Sequence, residues 1–193
     1  DRLARSIHGE ELKVAFAFLL TMPGAPFIYY GDEIGLRYVE NLVSVEGGYN
    51  RTGSRSPMQW NHEVNFGFSN ASPEKLYIPT DDKPNSPTVE DQMKDPNSLY
   101  YEVKKLIALR REHSALLSDG NIEFVSDGAD GSPLAYIRSS ADEKILVVVN
   151  PADREAVLTV PGSWQQNLYQ IGGAVVAENG KLVIPPKSAN LLR

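Results

Sequence analysis

Two adjacent acids, Asp32 and Glu33, follow a short apolar run and lie between two glycines in IYYGDEIG, residues 28–35. Carboxylates trade protons and attack electrophilic carbon in hydrolytic chemistry, but a catalytic pair must converge on one bond. Consecutive residues leaving a strand point to opposite faces, so Asp32 and Glu33 are poorly placed to act on a common atom. They are read as anchors of a loop rather than as an acid and a nucleophile. His8, His62 and His113 are too scattered for a metal cluster. The absence of cysteine excludes disulfides, thiolate zinc sites and thiol nucleophiles. No phosphate-cradling glycine loop, no Ser-His-Asp arrangement and no internal repeat stands out.

The elements that would carry these acids can be read from the same stretch. In GEELKVAFAFLLTMPG the apolar residues Leu12, Ala15, Phe16, Leu19 and Leu20 follow helical spacing. Glu10 and Glu11 suit the positive end of the helix dipole, and Pro23-Gly24 stops the helix. PFIYY, residues 26–30, is β-rich and predicts a strand buried on both faces. Residues 36–95 are irregular and rich in Gly, Pro, Asn and Ser, yet carry Tyr49, Trp60, Phe66, Phe68 and Tyr77. A disordered linker generally lacks such aromatics, so an ordered functional loop is expected. Trp60 is read as loop core.

A second helix is predicted with Asp95 as N-cap and Pro96 in its first turn. Leu99, Val103, Leu106, Ile107 and Leu109 form its apolar face. Beyond about Leu116 eight short apolar runs, separated by turn dipeptides such as Asn179-Gly180, predict an antiparallel sandwich. Phe124 and Tyr136 are expected in its core and Trp164 on its surface. One helix–strand unit cannot close a parallel sheet, and open edges are avoided. The chain is therefore expected to be the C-terminal portion of a longer protein, with residues 1–114 and 115–193 as its two parts.

Composition narrows the function classes. A net charge of −6 and a pI near 5.1 argue against a nucleic-acid partner. No apolar run is long enough to span a membrane. Localisation is not legible.

Three phrases in order, MPGAPFIYYGDEIGL, RTGSRSPMQW and DPNSLYYEVKKLIALRREHSALL, resemble the end of the (β/α)8 barrel of the α-amylase superfamily. KILVVVNPADREAVLTVP resembles the β-sandwich that follows that barrel. The fold class implied is an α/β remnant of a TIM barrel (last helix, strand, loop and helix) followed by an all-β antiparallel sandwich. Among family members, α-glucosidases and trehalose synthases look most similar. The resemblance implies a retaining glycosidase of the α-amylase or α-glucosidase type acting on α-linked glucose. Such an enzyme needs two carboxyl groups about 5–5.5 Å apart. A trehalose synthase-type glucosyl isomerase and a non-catalytic carbohydrate-binding module remain alternatives.

The resemblance also implies roles. Arg55 matches the arginine that holds the glucose whose bond is broken, since a planar guanidinium can bridge hydroxyls and a carboxylate. Gly53 and Pro57 would fix its loop. Arg51 stands where many amylases carry Asp, which favours short oligosaccharides. Asp32 and Glu33 would follow strand 8 at the catalytic rim, and Tyr49 is a candidate for stacking on a sugar. DRLAR resembles the sequence just after the family's Asn-His-Asp phrase. With the usual spacing Asp1 is not the third acid of the site; without the preceding residues that assignment stays open. The nucleophile and proton donor are expected to lie outside this stretch. No cofactor is expected, and calcium in the parent stays open. The expected partner is an α-linked gluco-oligosaccharide, and an exposed barrel strand is expected to be covered by rearranged loops or by self-association.

Overall fold

The computed structural model describes residues 1–178 and 180–193, with Asp130 described by its main chain alone. Among these residues the helices are α1 (Glu10–Thr21), α2 (Val89–Lys94) and α3 (Leu99–Glu112). The strands are β1 (Asn121–Asp127), β2 (Leu134–Ser139), β3 (Lys144–Asn150), β4 (Ala156–Leu158), β5 (Asn167–Ile171), β6 (Val176–Glu178), β7 (Lys181–Ile184) and β8 (Ser188–Leu192). The chain divides into two compact units, residues 1–8 with 27–104 and residues 9–26 with 105–193.

In the second unit each of the eight apolar runs becomes a strand. They form two antiparallel sheets, ordered β1-β2-β3-β8-β5 and β4-β7-β6. Glu178 opposes Lys181 across β6 and β7, while the Asn179 of the expected turn lies outside the described residues. Ala135, Leu146, Val148 and Leu192 of the larger sheet pack with Leu182 and Ile184 of the smaller, which makes a sandwich. Strand alternation turns Tyr136, Ile145, Val147 and Leu191 to the opposite face, and these are fully buried too. On that face α1 packs against β3 and β8. The uninterrupted apolar run of β3 follows from this, because a strand covered on both faces needs no polar side.

Within α1, Leu12, Phe16 and Leu20 are buried, whereas Ala15 and Leu19 are half-buried. Arg110 donates to Leu20 O and Met22 O, each at 2.7 Å, and to Gly24 O at 2.7 Å, capping the end of this helix. Two aromatic expectations reverse. Phe124 is 56% exposed, because β1 is an edge strand and its Phe124 stands on the face where α1 covers only the middle of the sheet. Trp164 is half-buried instead of displayed, packed on the sandwich core with Nε1 donating to Pro161 O at 2.8 Å.

The first unit contains no strand among its described residues, and PFIYY does not form the one expected of it. A strand of a parallel sheet is held by partners distant in sequence, and none pairs with this segment. Phe27 is consequently 91% exposed. The long stretch after it is ordered by two devices. Ile34, Leu36 and Met58 cluster with Val89 and Tyr100. Arg37 Nε donates to the buried carboxylate of Asp81 at 2.7 Å while its other nitrogens reach Lys83 O, Pro84 O and Ser86 Oγ.

Helix α2 was not anticipated in that stretch. Thr88 caps it by accepting the Asp91 N–H at 3.1 Å, a hydroxyl followed three residues later by an acid. The next helix begins later than expected. Asp95 Oδ1 accepts the Asn97 N–H and Asp95 O accepts the Ser98 N–H, closing a turn, so that α3 starts only at Leu99. Of its expected face, Leu99, Val103 and Leu106 are buried, Leu109 is half-buried and Ile107 is exposed.

Candidate substrate site

The GDEIG turn is a short 3-10 segment, Asp32–Ile34, between Gly31 and Gly35, both left-handed at φ 84° and 71°. That geometry directs Asp32 and Ile34 inward and leaves Glu33 half-buried. Asp32 meets Arg2, whose Nη1 lies 3.3 Å from Asp32 Oδ1 and also donates to Tyr30 O. The Arg2 guanidinium sits 4.5 Å from the ring centres of both Tyr29 and Tyr30, which places a buried cation against two aromatic rings. Burial pushes the Asp32 carboxyl above the usual aspartate range, although the Arg2 charge pulls it down. Asp32 is thus engaged in holding the turn. Glu33 Oε2 is buried without a hydrogen-bond partner. Adjacent residues in one tight turn do not form a facing carboxylate pair.

Arg55 closes a second 3-10 segment, Thr52–Ser54, its N–H donating to Thr52 O at 2.9 Å. Gly53 is needed there because a Cβ would lie 2.3 Å from Val39 O and 2.7 Å from the Tyr38 ring. Val39 N–H donates to Gly53 O at 2.9 Å, so the loop is sutured to residue 39. The Arg55 side chain is exposed and makes no hydrogen bond or ion pair among the described residues. Tyr30 links the two turns, since its hydroxyl donates to Ser56 O at 2.9 Å. Burial, ahead of the neighbouring Tyr29, pushes that hydroxyl above its usual range and keeps it a donor.

Arg51 stacks on Tyr49 with its guanidinium carbon 4.6 Å from the ring centre. Tyr49 lines a groove of about 520 Å3 with Arg5, Tyr38, Glu40 and Asn50. Arg5 is 3.0 Å from Glu40 and 3.9 Å from the Tyr38 ring centre. Asp1 is exposed and accepts from Arg5 at 3.3 Å and from the Arg2 N–H at 3.0 Å. The structure therefore brings Tyr49 and Arg51 together, and ties Asp32 through Arg2 and Tyr30 to Ser56, the residue after Arg55.

Trp60 is half exposed (49%) and so does not fill the loop core expected of it; its main chain pairs with Phe66 and Glu90 instead. No group of three or more metal-ligating side chains gathers among the described residues. Each of two histidines has a carboxylate partner, His62 with Asp91 at 2.7 Å and His113 with Glu143 at 2.6 Å. Arg2 is the member of this site that sequence reasoning missed. Its partners lie about thirty residues away and no local spacing announces them.

Residues 2–120 match the family model for the α-amylase catalytic domain and residues 122–183 that for the maltogenic amylase C-terminal domain. The trehalose synthase of Pimelobacter sp. is 36% identical over 148 residues, covering 72% of this chain and 24% of that protein. The glucan 1,6-alpha-glucosidase of Streptococcus pneumoniae serotype 4 is 34% identical over 189 residues, covering 83% of this chain and 34% of that protein. The chain thus spans about a quarter to a third of the length of these relatives. Among solved structures, the trehalulose synthase MutB from Pseudomonas mesoacidophila MX-45 is similar, with a TM-score of 0.77 at 24% identity, over 95% of this chain and 38% of that one. An isomaltulose synthase from Erwinia rhapontici NX5 has a TM-score of 0.76, also at 24% identity, over 95% of this chain and 38% of that one. These two establish the fold alone. The chain belongs to the α-amylase family, as part of its catalytic domain followed by its C-terminal β-sandwich domain.

Proposed function

We propose that this chain supplies residues 1–114 of a catalytic-domain part and residues 115–193 of a C-terminal domain to a longer enzyme that cleaves α-glucosidic bonds in short gluco-oligosaccharides with retention. Arg55 holds the glucose at the bond to be broken. Arg51 and Tyr49 contact the rest of the oligosaccharide, and Asp32 and Glu33 hold the rim. The carrying observation is the exposed, unpaired guanidinium of Arg55 on a loop too tightly packed at Gly53 to move freely. The nucleophile and the proton donor come from outside these residues.

A second reading, intramolecular transfer of the trehalose synthase type, is supported by the likeness to the Pimelobacter trehalose synthase. A third, a free-standing carbohydrate-binding module, loses its expected platform, since Trp164 is tied to Pro161 O and packed on the core, and is left with the exposed Phe124 of the edge strand. Assays on maltose, maltotriose and trehalose with the whole protein and with the 193-residue chain test the proposal. The whole protein is expected to release α-glucose from at least one substrate while the chain alone releases none. Turnover by the chain alone, or none by the whole protein, overturns it. Isomer formation without glucose release selects the second reading, and saturable maltodextrin binding by the chain without catalysis in the whole protein selects the third.

A further inference from the structure

The loop that carries Arg55 is held from one side by Gly53 and Val39, and from the other through the chain of contacts that begins at Arg2. Arg2 is fully buried, with its side chain against Tyr29 and Tyr30 and its Nη1 on the Tyr30 carbonyl and the Asp32 carboxylate. Gly31 adds rigidity, because a Cβ there would come within 2.7 Å of the Leu36 side chain and 3.3 Å of Arg2 Nη1. The Tyr30 ring is thereby fixed, and its hydroxyl reaches the carbonyl of Ser56, itself fully buried and next in sequence to Arg55.

We infer that Tyr30, braced by Arg2, is a positioning residue that sets where the Arg55 guanidinium stands. Neither residue need touch substrate. A side chain as long as arginine transmits a small shift of its main chain to its charged end, and misplacement of a binding group by about 1 Å can cost about a hundredfold in rate. The bond from Tyr30 removes that freedom at the Ser56–Pro57 peptide, one residue past Arg55. Thr52 O accepts the Arg55 N–H at 2.9 Å, so the chain is held at the peptide before Arg55 and again one residue after it. This inference rests on the reading of Arg55 as the glucose-holding arginine.

The test is a double-mutant cycle in the whole protein, reading kcat/KM on the best α-glucoside together with the thermal midpoint. Arg55→Ala tests the underlying reading, and Tyr30→Phe keeps the ring but removes the hydroxyl that bonds Ser56. The expected result is a loss of about tenfold for Tyr30→Phe that shrinks to less than twofold in the Arg55→Ala background. Arg2→Met should show the same coupling and serves as the second variant if Tyr30→Phe does not fold. A large effect of Arg55→Ala with none from Tyr30→Phe or Arg2→Met overturns the positioning role and leaves the reading of Arg55 intact. Equal losses with and without Arg55 mean a general structural role and also overturn it. No effect of Arg55→Ala removes the reading itself.

Discussion

Arg138, fully buried in β2, donates through Nη1 to the carbonyl oxygen of Thr21, the last residue of α1. Its other nitrogens donate to Leu117 O at 2.8 Å, Gly120 O at 3.1 Å and Asn121 O at 3.1 Å. Beside it the Tyr136 hydroxyl stands 2.5 Å from Thr21 Oγ1, and burial pushes that hydroxyl up to about 12, so it remains a neutral hydrogen-bonding group. A helix ends with four carbonyls that have no partner in the helix. Here Arg110 takes Leu20 O and, just past the helix, Met22 O, and Arg138 takes Thr21 O. Burial lowers the proton affinity of both guanidiniums, yet arginine stays charged across the working pH range. Two cations at the negative end of one dipole thus tie α1 to the sandwich within the second unit.

Replacing Arg138 with Met should therefore cost about 3–5 kcal/mol. The methionine fills part of the volume but strands the buried Thr21 oxygen, worth about 1–3 kcal/mol when unpaired, and gives up the bonds to the three part-buried carbonyls. Equilibrium urea unfolding checks this. A loss below about 1 kcal/mol would mean that those oxygens find water or other partners.

Gly53→Ala should destabilise the first unit selectively. The added methyl has backbone on one side and the Tyr38 ring on the other, and neither can yield as a flexible side-chain end would. Overpacking of this kind costs about 1–3 kcal/mol. Trp60 and Trp164 report separately, since they belong to different units. In a Trp164→Phe background, fluorescence unfolding followed at Trp60 should shift to lower denaturant. An unchanged midpoint would show that the loop slides away from Val39 at little cost.

The sandwich was legible in the sequence because each strand announces itself locally, by alternation or an apolar run bounded by turn residues. The order of its sheets was not, since Leu191 meets Val147 across more than forty residues. Residues 26–30 misled for the same reason in reverse. Their composition suits a buried strand, but a parallel strand exists only with its neighbours. Near Asp95 two start signals compete. Thr88 caps one short helix and the Asp95 turn delays the next, and spacing alone cannot rank them. In the candidate site, Arg51 was proposed from its place beside a motif and Tyr49 from its aromatic ring, whereas Arg2 was not singled out, because its contacts with Tyr29, Tyr30 and Asp32 are created only by folding.

Stability of the second unit should fall in acid through Glu143. Burial pushes its carboxyl up, but the His113 ring at 2.6 Å, the Ala115 N–H at 3.1 Å and the Arg193 guanidinium at 3.6 Å together bring it below the usual 4.5. A carboxyl lowered in the fold binds its proton less readily there than in the unfolded chain. The stabilisation is thus complete above the unfolded value and drains away as pH falls through the folded one. Thermal midpoints of the parent and of Glu143→Gln should converge between neutral pH and pH values below 4.5. Curves that stay parallel through that window would assign the acid sensitivity to other groups.

The isolated chain should associate with itself through residues 27–30. Phe27 is 91% exposed, with Tyr29 and Tyr30 each 40% exposed beside it, in a segment whose main chain has no sheet partner. Backbone without a sheet partner next to exposed aromatic rings is a template for pairing with another copy. Sedimentation velocity over a hundredfold concentration range should show mass-action growth beyond the monomer. Phe27→Asp should shift the distribution toward the monomer, because the charge resists burial and repels its counterpart on the second copy. It should do so without lowering the thermal midpoint, since the ring it removes packs on little. A parent chain that stays monomeric across the range would mean that water alone satisfies this segment.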